Sequence, residues 1–189
     1  MRLFAALDLP VAVAGELHAW WESASADYPP AVWRDVPPRN WHLTLAFFGE
    51  VAGGDMDDLA EALGACAARH GPLQLALDGF GAFPSLSRPR ALWAGVADTG
   101  DGELMRLARC CRLAGHATLR KRPARDAPFR GHVTLARASA ALPITAETLA
   151  AMPPLPALSW EAGTLSLIQS MLRPEGARYR ILENFPLGE

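Results

Sequence analysis

Two short segments constrain the fold more than any other feature of the chain. His42-Leu43-Thr44-Leu45-Ala46 and His132-Val133-Thr134-Leu135-Ala136 match at four of five positions and lie ninety residues apart. Both alternate as strands do. With a period of two, His and Thr share one face, about 7 Å apart along the chain, while Leu43 and Leu45, or Val133 and Leu135, point to the other. Each segment therefore reads as a half-buried strand with an apolar face for a core and a polar face carrying an imidazole and a hydroxyl. If the two strands form opposite walls of one cleft, two imidazoles and two hydroxyls converge on a space the size of a phosphate.

The remaining pattern is strand-rich. Arg2 to Leu9 reads as a strand, and residues 11 to 24 as a helix entered at Pro10. Val32 to Val36 is a short strand, residues 37 to 40 a turn, and Trp41 to Phe48 a strong strand ending at Gly49. Asp55 is placed to cap a helix in which Met56, Leu59, Leu63 and Cys66 recur at helical spacing as far as Arg69-His70-Gly71. Strands follow over Leu73 to Phe83 and Ala91 to Val96. A helix opens at Thr99 to Asp101, and a basic loop covers residues 117 to 130. The chain ends with a strand over Gly131 to Arg137, a Pro-rich connection over 143 to 156, and strands over Leu158 to Ile168 and Ala177 to Phe185. Strands outnumber helices without regular βαβ alternation, which points to an α+β fold with largely antiparallel sheets.

Length and composition narrow the classes. At 189 residues, half of them hydrophobic, disorder is excluded and one domain is expected. No apolar run reaches the ~20 residues that span a bilayer, and the start lacks a basic stretch and an apolar leader, so a cytoplasmic protein away from membranes is expected. Cys66, Cys110 and Cys111 have no paired spacing, which leads to the expectation of free thiols in a reducing compartment. Charge is segregated: residues 1–99 carry 6 cations against 12 anions, and residues 100–189 carry 12 against 8. From Arg106 to Arg137, nine cations, among them Arg120, Lys121, Arg122, Arg125 and Arg130, face Asp126 alone, which favours an anionic ligand.

The paired histidines supply the chemistry. With an unperturbed pKa of ~6.5, one imidazole accepts a proton and another donates one near neutral pH. Threonine hydroxyls two residues away hydrogen-bond phosphoryl oxygens as charge grows on them. No metal or other cofactor is required. His18, His70 and His116 lie on or beside helices and are assigned surface or capping roles.

The two HxTx segments and their flanks resemble the 2H phosphoesterase superfamily, and within it the RNA 2',3'-cyclic phosphodiesterases long labelled 2'-5' RNA ligases. The resemblance rests on residues 2–7, the extended run from His42 to Glu50, Arg90-Ala91-Leu92-Trp93, Pro128-Phe129, the run from His132 to Arg137, and Ser170, Gly176 and Tyr179. It implies one bilobal domain of two interleaved, pseudo-symmetric lobes, mainly antiparallel sheet with flanking helices, around a central cleft. It implies hydrolysis of cyclic phosphate ends of RNA to 2'-phosphates, with His42 as proton donor, His132 as acceptor, Thr44 and Thr134 holding phosphate oxygens, and weak reversible 2'-5' ligation. A monomer without an obligate protein partner is expected. A small cyclic nucleotide as substrate, or an RNA-binding module that has lost its chemistry, remain the alternatives, and the intact His and Thr pairs count against the second.

Phe47 and Arg137 occupy the same place, five residues after each His, and with Arg130 and Tyr179 are the candidate substrate contacts. Aromatic and guanidinium planes stack nucleobases. In a regular strand the odd offset turns Phe47 towards the core and Arg137 towards solvent; a bulge returns both to the face of the His. Gly131 departs from the Pro that usually precedes the second His in the family, and a looser approach to that strand is expected.

Overall fold

The apolar faces of the strands decide the architecture, because each has to be covered. The computed structural model describes residues 1–26, 33–120, 128–138, 145, 148, 152–173 and 176–188. Its elements are β1 (Arg2–Asp8), α1 (Val11–Ala24), β2 (Trp33–Asp35), β3 (His42–Glu50), α2 (Met56–Ala67), β4 (Leu73–Phe83), β5 (Ala91–Asp98), α3 (Glu103–Leu119), β6 (His132–Ala138), β7 (Ser159–Ala162), β8 (Thr164–Arg173) and β9 (Gly176–Pro186). The strands form two antiparallel sheets, β3-β1-β8-β9 and β2-β6-β5-β4-β7, and each sheet holds one HxT strand. The fold is α+β, as the strand-rich pattern implies. The first sheet curls: its edges β3 and β9 are brought together where the Asn40 side-chain amide, just before β3, donates to the Ala177 carbonyl on β9 at 2.9 Å.

Helical spacing places the inward side chains. Val13, Leu17 and Trp21 of α1 are buried one turn apart, as are Leu59, Leu63 and Cys66 of α2. Helix α3 buries Leu104, Leu107, Ala108, Cys111 and Gly115. It lies close on β3 because position 115 carries no side chain: a Cβ there would stand 2.6 Å from the Phe48 ring. Leu43 and Leu45 of β3 and Val133 and Leu135 of β6 all belong to one core cluster. Burying each such side chain contributes about 2 kcal/mol, so the HxT strands are fixed from behind by their apolar faces.

Several boundaries differ from the sequence reading. Leu158–Ile168, an unbroken alternation, is two strands parted at Gly163; β7 pairs with β4 in one sheet and β8 with β1 in the other. Helix α3 starts at Glu103, later than Thr99–Asp101, because Asp98 caps it from the end of β5. The Asp98 carboxylate accepts from the backbone of Leu104 at 2.7 Å and Gly102 at 3.3 Å, across a left-handed turn at Gly102 (φ 83°). Asp55 does precede α2, but its side chain makes no capping hydrogen bond; a 3-10 turn over Gly53–Asp55 leads into the helix. Helix α3 also takes in residues 117–119 of the expected loop. The rest of that loop at 121–127, with Lys121, Arg122 and Arg125, and most of the Pro-rich connection lie outside the described residues.

The expectation of free thiols is overturned. Cys66 on α2 and Cys110 on α3 form a disulfide, their Cα atoms 5.9 Å apart although 44 residues separate them. The side-by-side packing of the two helices creates this proximity, and linear spacing carries no trace of it. Cys111 remains a free, buried thiol. Among the described residues no helix is long and apolar enough to cross a membrane.

Candidate active site

Matching irregularities shape the two HxT strands. In β1–β3 pairing, Ala6 faces Thr44 and Ala5 faces Ala46, so Leu45 is the extra residue of a bulge; in β5–β6 pairing, Trp93 faces Thr134 and Leu92 faces Ala136, leaving Leu135 extra. Leu45 and Ala46 are consecutively buried, as are Leu135 and Ala136. The bulge shifts parity by one. Phe47 then sits opposite Phe4, and Arg137 opposite Ala91, on the same faces as His42 and His132. The odd offset that opposed a shared site is resolved at the same motif position in both sheets.

The cleft between the sheets measures about 910 Å³ and is lined by His42, Thr44, His132 and Thr134 together with Phe47, Arg137 and Tyr179. Each imidazole is held alike. Nδ1 of His42 meets the Asn40 carbonyl at 2.7 Å, and Nδ1 of His132 meets the Arg130 carbonyl at 2.8 Å. Carbonyls accept only, so each Nδ1 carries the hydrogen and Nε2 is the nitrogen left for proton transfer. Each ring also has an aromatic wall. Tyr179 stands edge-on to His42 at 5.0 Å with Phe4 at 4.7 Å, and Phe83 stands edge-on to His132 at 4.9 Å with Trp93 at 6.1 Å.

These walls have an electrostatic consequence. Burial lowers the pKa of His42 to about 4, and the positive charges of Arg137 and His132 push it the same way, against the Asn40 carbonyl, which favours the protonated ring. His132 is lowered too, chiefly by burial and then by Arg137 and Arg130, against the Arg130 carbonyl. Arg2 and Arg90 join Arg137 along the cleft, and no Asp or Glu is among its described lining residues. Positive groups that disfavour protonation of both imidazoles form a site that gains stability when an anion enters.

Of the candidate residues, Arg130 alone stands back from the cleft: its guanidinium lies 5.4 Å from the Trp93 ring centre, and its carbonyl orients His132. The sequence reading missed Asn40, Arg2, Phe4, Phe83 and Arg90 as site residues. Phe4 and Arg2 alternate correctly on β1, but only strand order reveals that β1 borders β3. The Gly131 departure also takes a definite form. A Cβ there would stand 2.3 Å from the Val96 carbonyl oxygen, and the Val96 N–H donates to the Gly131 carbonyl at 3.0 Å. The glycine thus marks a tight approach of β5, where a looser one was expected, and this backbone excludes proline as it excludes alanine.

The sequence from residue 9 to 171 matches the profile of the 2'-5' RNA ligase superfamily. The chain belongs to that superfamily. A relative named RNA 2',3'-cyclic phosphodiesterase, from Thermus thermophilus, is 37% identical over 99% of this chain and 90% of its own length. Among solved structures, that of TT0787, also from Thermus thermophilus, superposes with a TM-score of 0.82 at 34% identity, covering 100% of both chains. The structure of Escherichia coli LigT complexed with 3'-AMP gives 0.81 at 28% identity, over 100% of this chain and 98% of that one. The resemblance drawn from the two HxT segments holds.

Proposed function

We propose that the protein hydrolyses 2',3'-cyclic phosphate ends of RNA to 2'-phosphomonoesters by proton transfer between two histidines. The observation that carries this reading is the convergence of His42, Thr44, His132 and Thr134 on one cleft edged by Arg2, Arg90 and Arg137. The relatives named as RNA 2',3'-cyclic phosphodiesterases support the substrate class. Nε2 of His132 takes a proton from water as its oxygen attacks phosphorus in line with the departing O3'. The P–O3' bond breaks, and Nε2–H of His42 gives its proton to O3', leaving the phosphate on O2'. Thr44 and Thr134 donate to the non-bridging oxygens, where negative charge accumulates. Phe47 and Arg137 flank the terminal base, and Tyr179 holds the ring of His42. With a ribose 5'-hydroxyl in place of water, the same proton transfers form a 2'-5' linkage as P–O3' breaks, and because a catalyst accelerates both directions of a step they also reopen that linkage to the cyclic phosphate.

The scheme asks for one domain of two interleaved lobes, acting as a monomer without a cofactor. The test is a short RNA ending in a 2',3'-cyclic phosphate, incubated with the protein in EDTA and analysed for the phosphate position. The expected product is the 2'-phosphate, with turnover lost in His42→Ala and in His132→Ala while both variants stay folded. Retention of near wild-type turnover by either variant would falsify the scheme. Turnover of cyclic mononucleotides with none of RNA ends would transfer the same chemistry to a small substrate.

A further inference from the structure

The two motif histidines are held by equivalent carbonyls, but the residues supplying those carbonyls are anchored differently. Arg130 rests its side chain on Trp93 within its own sheet. Asn40 reaches across the mouth of the curled sheet, donating its side-chain amide to the Ala177 carbonyl at 2.9 Å, while its own carbonyl accepts from His42 Nδ1 at 2.7 Å. Ala177 lies two residues before Tyr179, so the latched segment is the one whose ring stands edge-on to His42. The turn carrying Asn40 is closed on its other side by bonds from the Asn40 and Trp41 N–H groups to the Pro37 and Pro38 carbonyls at 2.8 and 3.0 Å. A single side chain therefore joins the turn that orients the imidazole to the strand that walls it.

We infer that Asn40 is a positioning residue for the chemical step: by latching β9 to the turn before His42 it holds that imidazole and its Tyr179 wall as one unit. The effect on catalysis rests on the proposed role of His42; the effect on the ring itself does not. Without the latch, the Asn40 carbonyl and Tyr179 shift independently, the ring samples both tautomers, and water reaches it. Because burial is the first cause of its low pKa, hydration carries that pKa back towards 6.5. The other groups facing His42, namely His132 and Arg137 from β6, Tyr179 from β9 and Asp8 opposite it on β1, are retained throughout.

Asn40→Ala removes the donor, and Asn40→Asp keeps the shape but cannot donate when ionised. With a cyclic-phosphate RNA, both are expected to lower kcat at least 10-fold with KM changed less than 3-fold. Independently of turnover, imidazole 15N spectra should show the distinct Nδ1 and Nε2 shifts of His42 converging and its pKa rising, while His132, anchored through Arg130, stays as in the wild type. Wild-type-like shifts for His42 in both variants overturn the proposal, as does equal disturbance of both histidines or loss of cooperative unfolding in both variants. An inactive wild-type protein whose Asn40 variants still loosen His42 would sink the reaction scheme and leave the latch standing.

Discussion

The acid role proposed for His42 makes a quantitative demand on the cleft. With a pKa of about 4, the ring is protonated in about one molecule in a thousand at pH 7, so charging it there costs about 4 kcal/mol. A singly charged phosphate oxygen about 4 Å from the ring, at an effective dielectric constant of about 20, contributes about 4 kcal/mol in return. That equals about three pKa units and brings His42 close to 7 in the complex. The occupied state binds the extra proton, so the sign is fixed: phosphate affinity is highest at low pH and falls as pH rises from about 4 to about 7. At pH 5.5, binding should draw about 0.9 proton from solvent onto His42. Calorimetry of inorganic phosphate in two buffers of different ionisation heat measures this uptake, with His42→Gln subtracting the contribution of that ring and NMR titration locating the proton. If His42 stays near 4 in the saturated complex while His132 alone rises, the donor and acceptor assignments are reversed. If neither ring responds, the argument from burial and mutual repulsion fails.

Three other outcomes follow from the geometry. Phe47, 71% exposed on the cleft face, should stack a base, so Phe47→Ala should raise KM for an RNA end about 5- to 160-fold, the equivalent of about 1 to 3 kcal/mol, with kcat nearly constant; an unchanged KM removes it from the site. Gly131→Ala and Gly131→Pro force a Cβ against the Val96 carbonyl and should each cost about 1 to 3 kcal/mol of stability in urea titrations, a reading that wild-type stability in the proline variant contradicts. Reducing the Cys66–Cys110 bond, which closes a loop over 44 residues, should lower unfolding free energy by up to about 4 kcal/mol on the chain-entropy account. Turnover below the unfolding transition should stay constant, since neither cysteine lines the cleft; a change in kcat on reduction would connect that distant bond to the site.

Local pattern carried a large part of this protein. The period of two in His42–Leu45 and His132–Leu135 determined which side chains turn to the core and which to the cleft, and the spacing of Val13, Leu17 and Trp21 determined the inward face of α1. Both depend only on the geometry of the element that contains them, so they are written in consecutive residues. The four residues central to the candidate site were legible for that reason. What pairs with what was decided by the tertiary structure. The break at Gly163, the disulfide from Cys66 to Cys110, the bulges that return Phe47 and Arg137 to the cleft, and the latch from Asn40 to Ala177 all join segments distant in the chain. Their energies exist only once a second segment is in place, and no run of neighbouring residues encodes them.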